Sequence, residues 1–494
     1  MPVDARPLAI ALRYTLAGAA AFLGGSWLIG ALAHVDDGRS VDHVAGTWMA
    51  LATAANAGTL YPPFYEDGYY GGTRFAPLPI VLQAGAARIA GEYLVSAKVL
   101  GLVLAVALVA LTFALVHASG CGTPVALLLT STLLVSGTGL VVTLGIRNDA
   151  LPVILQLAAL ALVARRHGDA RTAGAGVLCA LAVASKLSAV WAPLAIVAWF
   201  LRYDRRAAGV FAGALTVALG VTYGVFQALS GGRMDDNLLG LALTTPDRVG
   251  ELGDQVDRLR LIASEGQGLL GLVIVLALAA TALSAWRRAL RLEHVAFVAA
   301  CAITVVVLLD PGAFVNHLLD VQVLALPVVG RLWYESRPAQ VRHGSLVRGA
   351  ILVAVALGVV TSYREHVTLR SDVRALVHGT TAPSDRVPRL ADAIPAGARI
   401  LSEDPSIPVL RGERPVVLDP YMLIPVLERD PLRREELVAR IDDGRFDTIV
   451  LLNRPSSAPG GYRNLHLGES IANAIERSYR ARRFEDGRWI FEPR

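Results

Sequence analysis

Long apolar runs, separated by short breaks that carry arginine, fill the chain up to about residue 362. At the roughly 20 residues a helix needs to cross a bilayer, they predict about eleven transmembrane helices. These lie at 12–33, 95–117, 122–144, 149–165, 172–187, 188–201, 207–229, 267–286, 294–310, 316–333 and 346–362. Two further apolar stretches, 42–57 and 78–92, are too short to cross comfortably. The first carries Val44, Trp48, Leu51 and Ala55 on one helical face, so both read as helices lying on the membrane surface. Beyond 362 the pattern becomes that of a water-soluble α/β unit. Its predicted strands are 398–404, 447–452 and 488–493, and its predicted helices are 431–443 and 469–481. The expected fold is therefore a polytopic α-helical membrane domain, 1–362, followed by a soluble α/β domain, 363–494. The membrane domain carries a long first outer loop, 35–94.

The arginines orient this arrangement. Arg165, Arg166 and Arg171, then Arg202, Arg205 and Arg206, then Arg287, Arg288 and Arg291, then Arg337, Arg342 and Arg348 fall on one side of the predicted bundle. Basic loops stay on the cytoplasmic side. The expectation is thus a multi-pass plasma-membrane protein with a cytoplasmic N-terminus and an extracytoplasmic C-terminal domain. If 78–92 crossed the bilayer, every later arginine cluster would land outside. The N-terminal apolar run reads as an uncleaved first span rather than a signal peptide, because it is long enough to cross.

Composition agrees. Of 494 residues, 54% are hydrophobic and 18% charged, and the mean hydropathy of +0.51 is too high for an ordinary soluble chain. The net charge of +5 does not point to nucleic acid, since the basic residues sit between apolar runs. The three cysteines, Cys121, Cys179 and Cys301, show no metal-type spacing and read as packing residues.

The candidate chemistry is on the outer side. The first outer loop holds Asp36, Asp37, Asp42, Glu66 and Asp67 with Tyr61, Tyr65, Tyr69 and Tyr70. The same face receives Arg147 and Asp149 before the fourth span, Lys186 at the end of the fifth, and His317 and Asp320 at the start of the tenth. Ionisable residues at membrane depth are costly and usually functional. A carboxylate such as Asp42 can act as general base on a hydroxyl. Lys186, His317 and Arg147 can stabilise a phosphate, so the set suits chemistry on a lipid-linked phosphate. Asp149, with Asp320, suits either a cationic partner or a hard divalent cation such as Mg²⁺ or Mn²⁺. Plainer readings stand beside these. Asp42 and Asp149 are placed to cap helices, Lys186 to reach the interface along its stem, and the tyrosines to form an interfacial belt. The segment 246–260 reads as a solvated amphipathic helix, and the C-terminal domain, without a catalytic motif, as an accessory unit.

Several of these stretches, in this order, resemble the GT-C glycosyltransferases that use polyprenyl-phosphate sugars. The likeness is to the protein mannosyltransferase and lipid A aminoarabinose transferase group, glycosyltransferase family 39. The carriers are the acid of the first outer loop, AANAGTLYPP, PLPIVLQAGAARIAG, RNDALPVILQLAALAL, ASKLSAVWAPLAI and NHLLDVQVLALPVVG, and the likeness covers roughly residues 12–340. The resemblance implies sugar transfer from a polyprenyl-phosphate donor to a lipid, polysaccharide or protein acceptor on the outer face. It makes Asp42 the base, with the Asp36–Asp37 pair as rival, and Asp149 the second acid. Lys186 becomes a donor-phosphate contact and Tyr61–Tyr70 the acceptor loop. This chain departs from the family at His43, where a second acid is usual. A glycolipid-type GT-C mannosyltransferase is an alternative branch. A polyprenyl-lipid transporter is a rival from another class, disfavoured because the polar residues cluster at span ends and no inverted repeat is visible.

Overall fold

The computed structural model describes residues 6–38, 41–164, 168–241, 268–310, 313–337, 343–378, 386–457 and 466–494. Arg165, Arg166, Arg342 and the predicted segment 246–260 lie outside these. Every predicted span has a helical counterpart. The bundle is built from α1 (Arg6–Ala33), α4 (Tyr93–Ala118), α5 (Thr123–Ser131), α6 (Gly137–Leu144), α7 (Ala150–Ala164), α8 (Asp169–Ser185), α9 (Trp191–Tyr203), α10 (Arg205–Leu229), α11 (Gly268–Trp286), α12 (Leu292–Val307), α13 (Leu319–Glu335) and α14 (Gly344–His366). α2 (His43–Asn56) and α3 (Pro77–Ala90) correspond to the two short apolar stretches, 42–57 and 78–92. Among the described residues, five helices are long and apolar enough to cross a membrane on their own, or six if the bent α5–α6 pair counts as one. α8 and α9, of 17 and 13 residues, are short for a hydrocarbon core about 30 Å thick at 1.5 Å per residue.

The helices turn large apolar side chains outward. Val217, Val221, Val275 and Leu357 are each at least 60% exposed, the surface expected of a chain whose solvent is lipid. Inside, Trp191, Phe200, Phe211, Phe297 and Leu324 form one continuous core.

One predicted span is broken. The stretch 122–144 bends by 73° between α5, with the 3-10 turn Thr132–Leu134 that follows it, and α6. Ser136 caps α6 by accepting the Gly139 N–H at 3.0 Å and is itself held by the Gln322 amide at 2.8 Å. A Cβ on Gly139 would lie 1.6 Å from the Leu133 carbonyl oxygen, so only glycine permits the bend.

The C-terminal unit contains α15 (Leu369–His378), α16 (Arg386–Ala393), β3 (Ile400–Ser402), α17 (Ser406–Leu410), α18 (Pro420–Arg429), α19 (Pro431–Asp442), β4 (Thr448–Leu451), α20 (Glu469–Ser478), β5 (Tyr479–Glu485) and β6 (Arg488–Pro493). Its sheet runs β3-β4-β6-β5, with β3 and β4 parallel and the other pairs antiparallel. The predicted helix 469–481 is corrected here, because it stops at Ser478 and Tyr479 opens β5. The β5–β6 hairpin turns on Asp486 and Gly487, at φ 52° and 77°, the Asp-Gly pair a type I′ turn favours.

One face of this sheet shares a core with the outer loop, where Leu51 and Ile80 pack with Ile407, Val450 and Ile490. The other face is covered by α19 and α20 through Leu437, Ile471 and Ile475. A short outer-loop hairpin, β1 (Tyr65–Glu66) and β2 (Tyr69–Tyr70), joins the C-terminal unit directly. Tyr70 N–H donates to Val416 C=O at 2.7 Å, and Leu418 N–H donates to Tyr70 C=O at 2.9 Å. Gly46 of α2 brings the two units close, since a Cβ there would lie 2.2 Å from the Ser406 backbone nitrogen. Gly46→Ala is therefore expected to loosen the C-terminal unit. Limited proteolysis at its junctions should run faster than in the wild type, with the bundle intact.

Candidate active site

The start of α7, the end of α8 and the starts of α9 and α13 meet beside α2. Asp42 caps α2, and its Oδ1 accepts the Ala45 N–H at 2.9 Å. Its Oδ2 forms an ion pair with Arg147 Nη2. The Asp42 side chain stays 40% exposed, so it is reachable from outside. Burial acts to raise its pKa, but Arg147, His43 and the Ala45 N–H outweigh it and hold the carboxyl below its usual range. Asp42 is thus ionised at neutral pH.

Beside this pair is a second. α8 ends at Ser185, and the chain breaks helix geometry at Lys186 before α9 begins at Trp191. The break places Lys186 Nζ 2.7 Å from Asp149 Oδ1. The Asn316 amide donates to the same oxygen at 2.9 Å. Asn316 and His317 sit on the 3-10 turn Val315–Leu318 that leads into α13, and His317 is within electrostatic range of Lys186, Asp149, Arg147 and Asp310. Asp320 accepts the Trp191 indole N–H at 2.7 Å. Asp42, Arg147, Asp149, Lys186, His317 and Asp320, spread over 279 positions of sequence, thus share one end of the bundle (320 − 42 + 1 = 279).

The other candidates lie elsewhere. Asp37 belongs to a separate buried network with His34 at 2.5 Å and Lys98 at 3.8 Å, and His34 also meets Asp372 of α15 at 3.1 Å. Asp36, beside it, is exposed. Tyr65, Tyr69 and Tyr70 face the C-terminal unit. Tyr61 is fully buried with its hydroxyl on Phe75 C=O at 2.7 Å, and Tyr70 is buried with its hydroxyl on Arg433 C=O at 3.0 Å. Arg433 lies over Tyr65 at 3.8 Å, and the Tyr65 hydroxyl donates to Glu436. Arg414 lies over Tyr69 at 4.5 Å and pairs with Glu66 at 2.7 Å. Exposed Asp67, at φ 50°, and Gly68 make the hairpin turn. These residues join the two units.

The C-terminal unit also closes over Asp42 with residues that sequence reasoning missed. The His43 ring lies 5.3 Å from the His466 ring. His466 Nδ1 is 2.5 Å from Oε1 of Glu403, whose side chain is fully buried. The Tyr421 ring is 6.3 Å from His466, and its hydroxyl is 3.1 Å from Asp310 Oδ1. Arg74 holds the other Asp310 oxygen at 2.8 Å and lies over Tyr421 at 5.2 Å. Asp42, His43, Arg147, Asp310 and His317 from the bundle and first loop, with Tyr421 and His466 from the C-terminal unit, therefore form a polar ring.

Below Arg74, Thr73 Oγ1 donates to Asp419 Oδ2 at 3.0 Å. Burial raises the Asp419 pKa to about 6. Because the folded value lies above the ordinary 3.8, folding favours the neutral acid. That contribution is full below the ordinary value and is lost as pH rises through about 6. Amide exchange in 416–421, corrected for intrinsic rates, should be roughly tenfold slower at pH 5 than at pH 7, and Asp419→Asn should flatten the difference.

No group of three or more His, Cys, Asp or Glu is arranged to hold a metal among the described residues. Asp149 Oδ1 accepts from Lys186 and Asn316, and Asp320 Oδ1 accepts from Trp191.

No protein-family model matches the sequence, and no curated protein matches it. Solved structures do. ArnT from Cupriavidus metallidurans superposes with a TM-score of 0.56 at 12% identity in the apo state, over 99% of this chain and 98% of that one. Its undecaprenyl-phosphate-bound form gives 0.58 at 11% identity over the same shares. The Archaeoglobus fulgidus oligosaccharyltransferase with zinc and sulfate gives 0.57 at 14% identity, over 92% of this chain and 71% of that one. The likeness runs through the bundle, the outer loop and the C-terminal sheet, and the chain has the GT-C fold.

Proposed function

We propose that this protein is an integral-membrane glycosyltransferase that moves a sugar from a polyprenyl-phosphate carrier to a hydroxyl-bearing acceptor on the outer face. The observation that carries the reading is the pair of adjoining ion pairs, Asp42–Arg147 and Asp149–Lys186, at one end of a GT-C bundle. ArnT has been solved with undecaprenyl phosphate and the archaeal AglB with dolichol phosphate, and both ligands are the carrier class proposed. In this reading the eleven predicted spans cross the plasma membrane, the N-terminus is cytoplasmic, and residues 363–494 form the extracytoplasmic domain.

The chemistry follows from charge. Lys186, Arg147 and His317 hold the donor phosphate, whose negative charge grows as the bond from the sugar's anomeric carbon to phosphate oxygen breaks. Asp42 takes the proton of the acceptor hydroxyl, whose oxygen forms the new bond to the anomeric carbon. The phosphate leaves with the electron pair of the old bond. Arg147 serves both partners in turn: it pairs with Asp42 before the donor arrives, and a donor phosphate that draws it away frees Asp42 as a base. The acceptor enters past His43, His466 and Tyr421.

Direct displacement inverts the sugar. The test supplies radiolabelled polyprenyl-phosphate mannose, arabinose, galactose or glucose to the protein in lipid vesicles with a membrane extract as acceptor. Transfer of label into a product of inverted anomeric configuration is expected. Retained configuration would contradict the displacement, and absence of transfer from every donor would contradict the function.

A further inference from the structure

At the opposite end of the bundle from Asp42, the ends of α11, α12, α13 and α14 surround a recess of about 490 Å³, counting its open mouth. Ser284, Arg287, His294, Arg331 and Glu335 line its polar side, and Leu283, Leu332 and Val347 give it an apolar wall. We propose that this recess binds the phosphodiester headgroup of an anionic phospholipid from the adjoining leaflet, with Arg287 and Arg331 on the phosphate.

Three observations carry this. The first is charge. Among the described residues of these four helix ends, Arg287, Arg288, Arg291, Arg331, Arg337 and Arg348 face only two acids, Glu293 and Glu335. Basic pockets between transmembrane helices at an interface are the usual seat of anionic headgroups. The second is fixed geometry. Arg331 is 14% exposed, and Glu293 holds its Nε at 3.3 Å. That contact anchors the guanidinium at one edge and leaves its other N–H groups for phosphate, which a planar fork matches well. His294 is buried, and its Nδ1 accepts the Arg291 backbone N–H at 3.2 Å. A neutral imidazole of that tautomer carries its proton on Nε2, which lies 3.2 Å from Ser284 Oγ. Ser284 then accepts from His294 and has its own hydroxyl proton to donate into the recess. The third is shape. The same cavity offers a polar floor and an apolar flank, which suits a headgroup with acyl chains running down the bundle. A free phosphate would use only the floor.

The test uses the full chain in neutral detergent, with native mass spectrometry and thermal unfolding. The probes are phosphatidylglycerol, phosphatidylcholine and inorganic phosphate. Phosphatidylglycerol is expected to stay bound and raise the unfolding temperature, and the other two are not. Arg287→Gln should weaken phosphatidylglycerol binding about tenfold, the value of one charge-assisted hydrogen bond. Arg331→Gln should do the same. Because Arg331 also holds Glu293, Arg287→Gln, at an exposed position, keeps the test valid if Arg331→Gln misfolds. Arg206→Gln, an 81% exposed arginine elsewhere on the same side, should leave binding unchanged. Equal binding of phosphatidylcholine would overturn the proposal, as would equal protection by inorganic phosphate or full phosphatidylglycerol binding by Arg287→Gln. None of these results depends on sugar transfer.

Discussion

Asp42→Asn is expected to lower sugar transfer roughly 10²- to 10⁴-fold, the usual worth of a positioned general base, while the protein stays folded. The asparagine isolates the charge. Asparagine caps a helix about as well as aspartate, so the bond from Ala45 N–H survives. What disappears is the proton acceptor and the partner of Arg147. With that pull gone, Arg147 turns to the donor phosphate more readily, and donor affinity should hold or rise while turnover collapses. Asp42→Ala removes the cap as well and should cost about 1 kcal/mol of stability in addition. Asp37→Asn should behave in the opposite way. Its carboxylate joins His34 and Lys98 where α1 and α4 meet α15, so the variant should unfold at lower temperature yet transfer sugar at near the wild-type rate per folded molecule. Tritium transfer, donor binding and thermal unfolding on the three variants check these outcomes.

The second large effect belongs to Asp149 and Lys186. Their ion pair, 2.7 Å long with side chains 13% and 23% exposed, is mostly removed from water. Truncating either member leaves a buried charge without its partner, which costs about 3–5 kcal/mol. Asp149→Asn and Lys186→Met should each destabilise the bundle by that order, and the double variant should recover much of the loss, since two neutral groups bury cheaply. Activity should not recover, because the double variant lacks Lys186, the proposed phosphate contact. A double-mutant cycle read by chemical unfolding and by transfer separates structure from chemistry. Rescue of both in the double variant would remove Lys186 from the mechanism.

Much of this architecture was legible in the chain because membranes impose simple rules. Apolar length marked each bundle helix, and the arginine breaks put Asp42, Asp149, Lys186 and His317 on one end before any geometry was known. The two short helices were legible too, the first from Asp42 as a capping residue ahead of His43–Asn56 and the second from its short apolar run. The bend at Ser136 was not, since hydropathy runs unbroken across it. The missed elements have identifiable causes. β5 is rich in arginine, with the sequence YRARRFE, and does not alternate cleanly. Yet the Asp-Gly pairs at 67–68 and 486–487 are hairpin signals that would have found both β1–β2 and β5–β6. The Glu403–His466 pair lay beyond reach for another reason. Its partner His43 is 423 residues from His466 (466 − 43 = 423), and only the docking of the C-terminal sheet brings them together. That docking also explains the tyrosines. A cluster of aromatics beside a bilayer suits a belt, an acceptor groove or a domain joint equally well, and the cations that engage them, Arg414 and Arg433, come from the distant tail.

The most direct test of the account follows both the sugar and the lipid in one set of vesicles. Full-length protein is reconstituted with polyprenyl-phosphate sugar labelled in the sugar and in the lipid, and acceptor extract is added to one side. The account predicts that the sugar label leaves the carrier for the acceptor, that polyprenyl phosphate accumulates in equal amount, and that Asp42→Asn stops both. Movement of intact donor between leaflets with the sugar–phosphate bond unbroken would contradict it and identify a transporter instead.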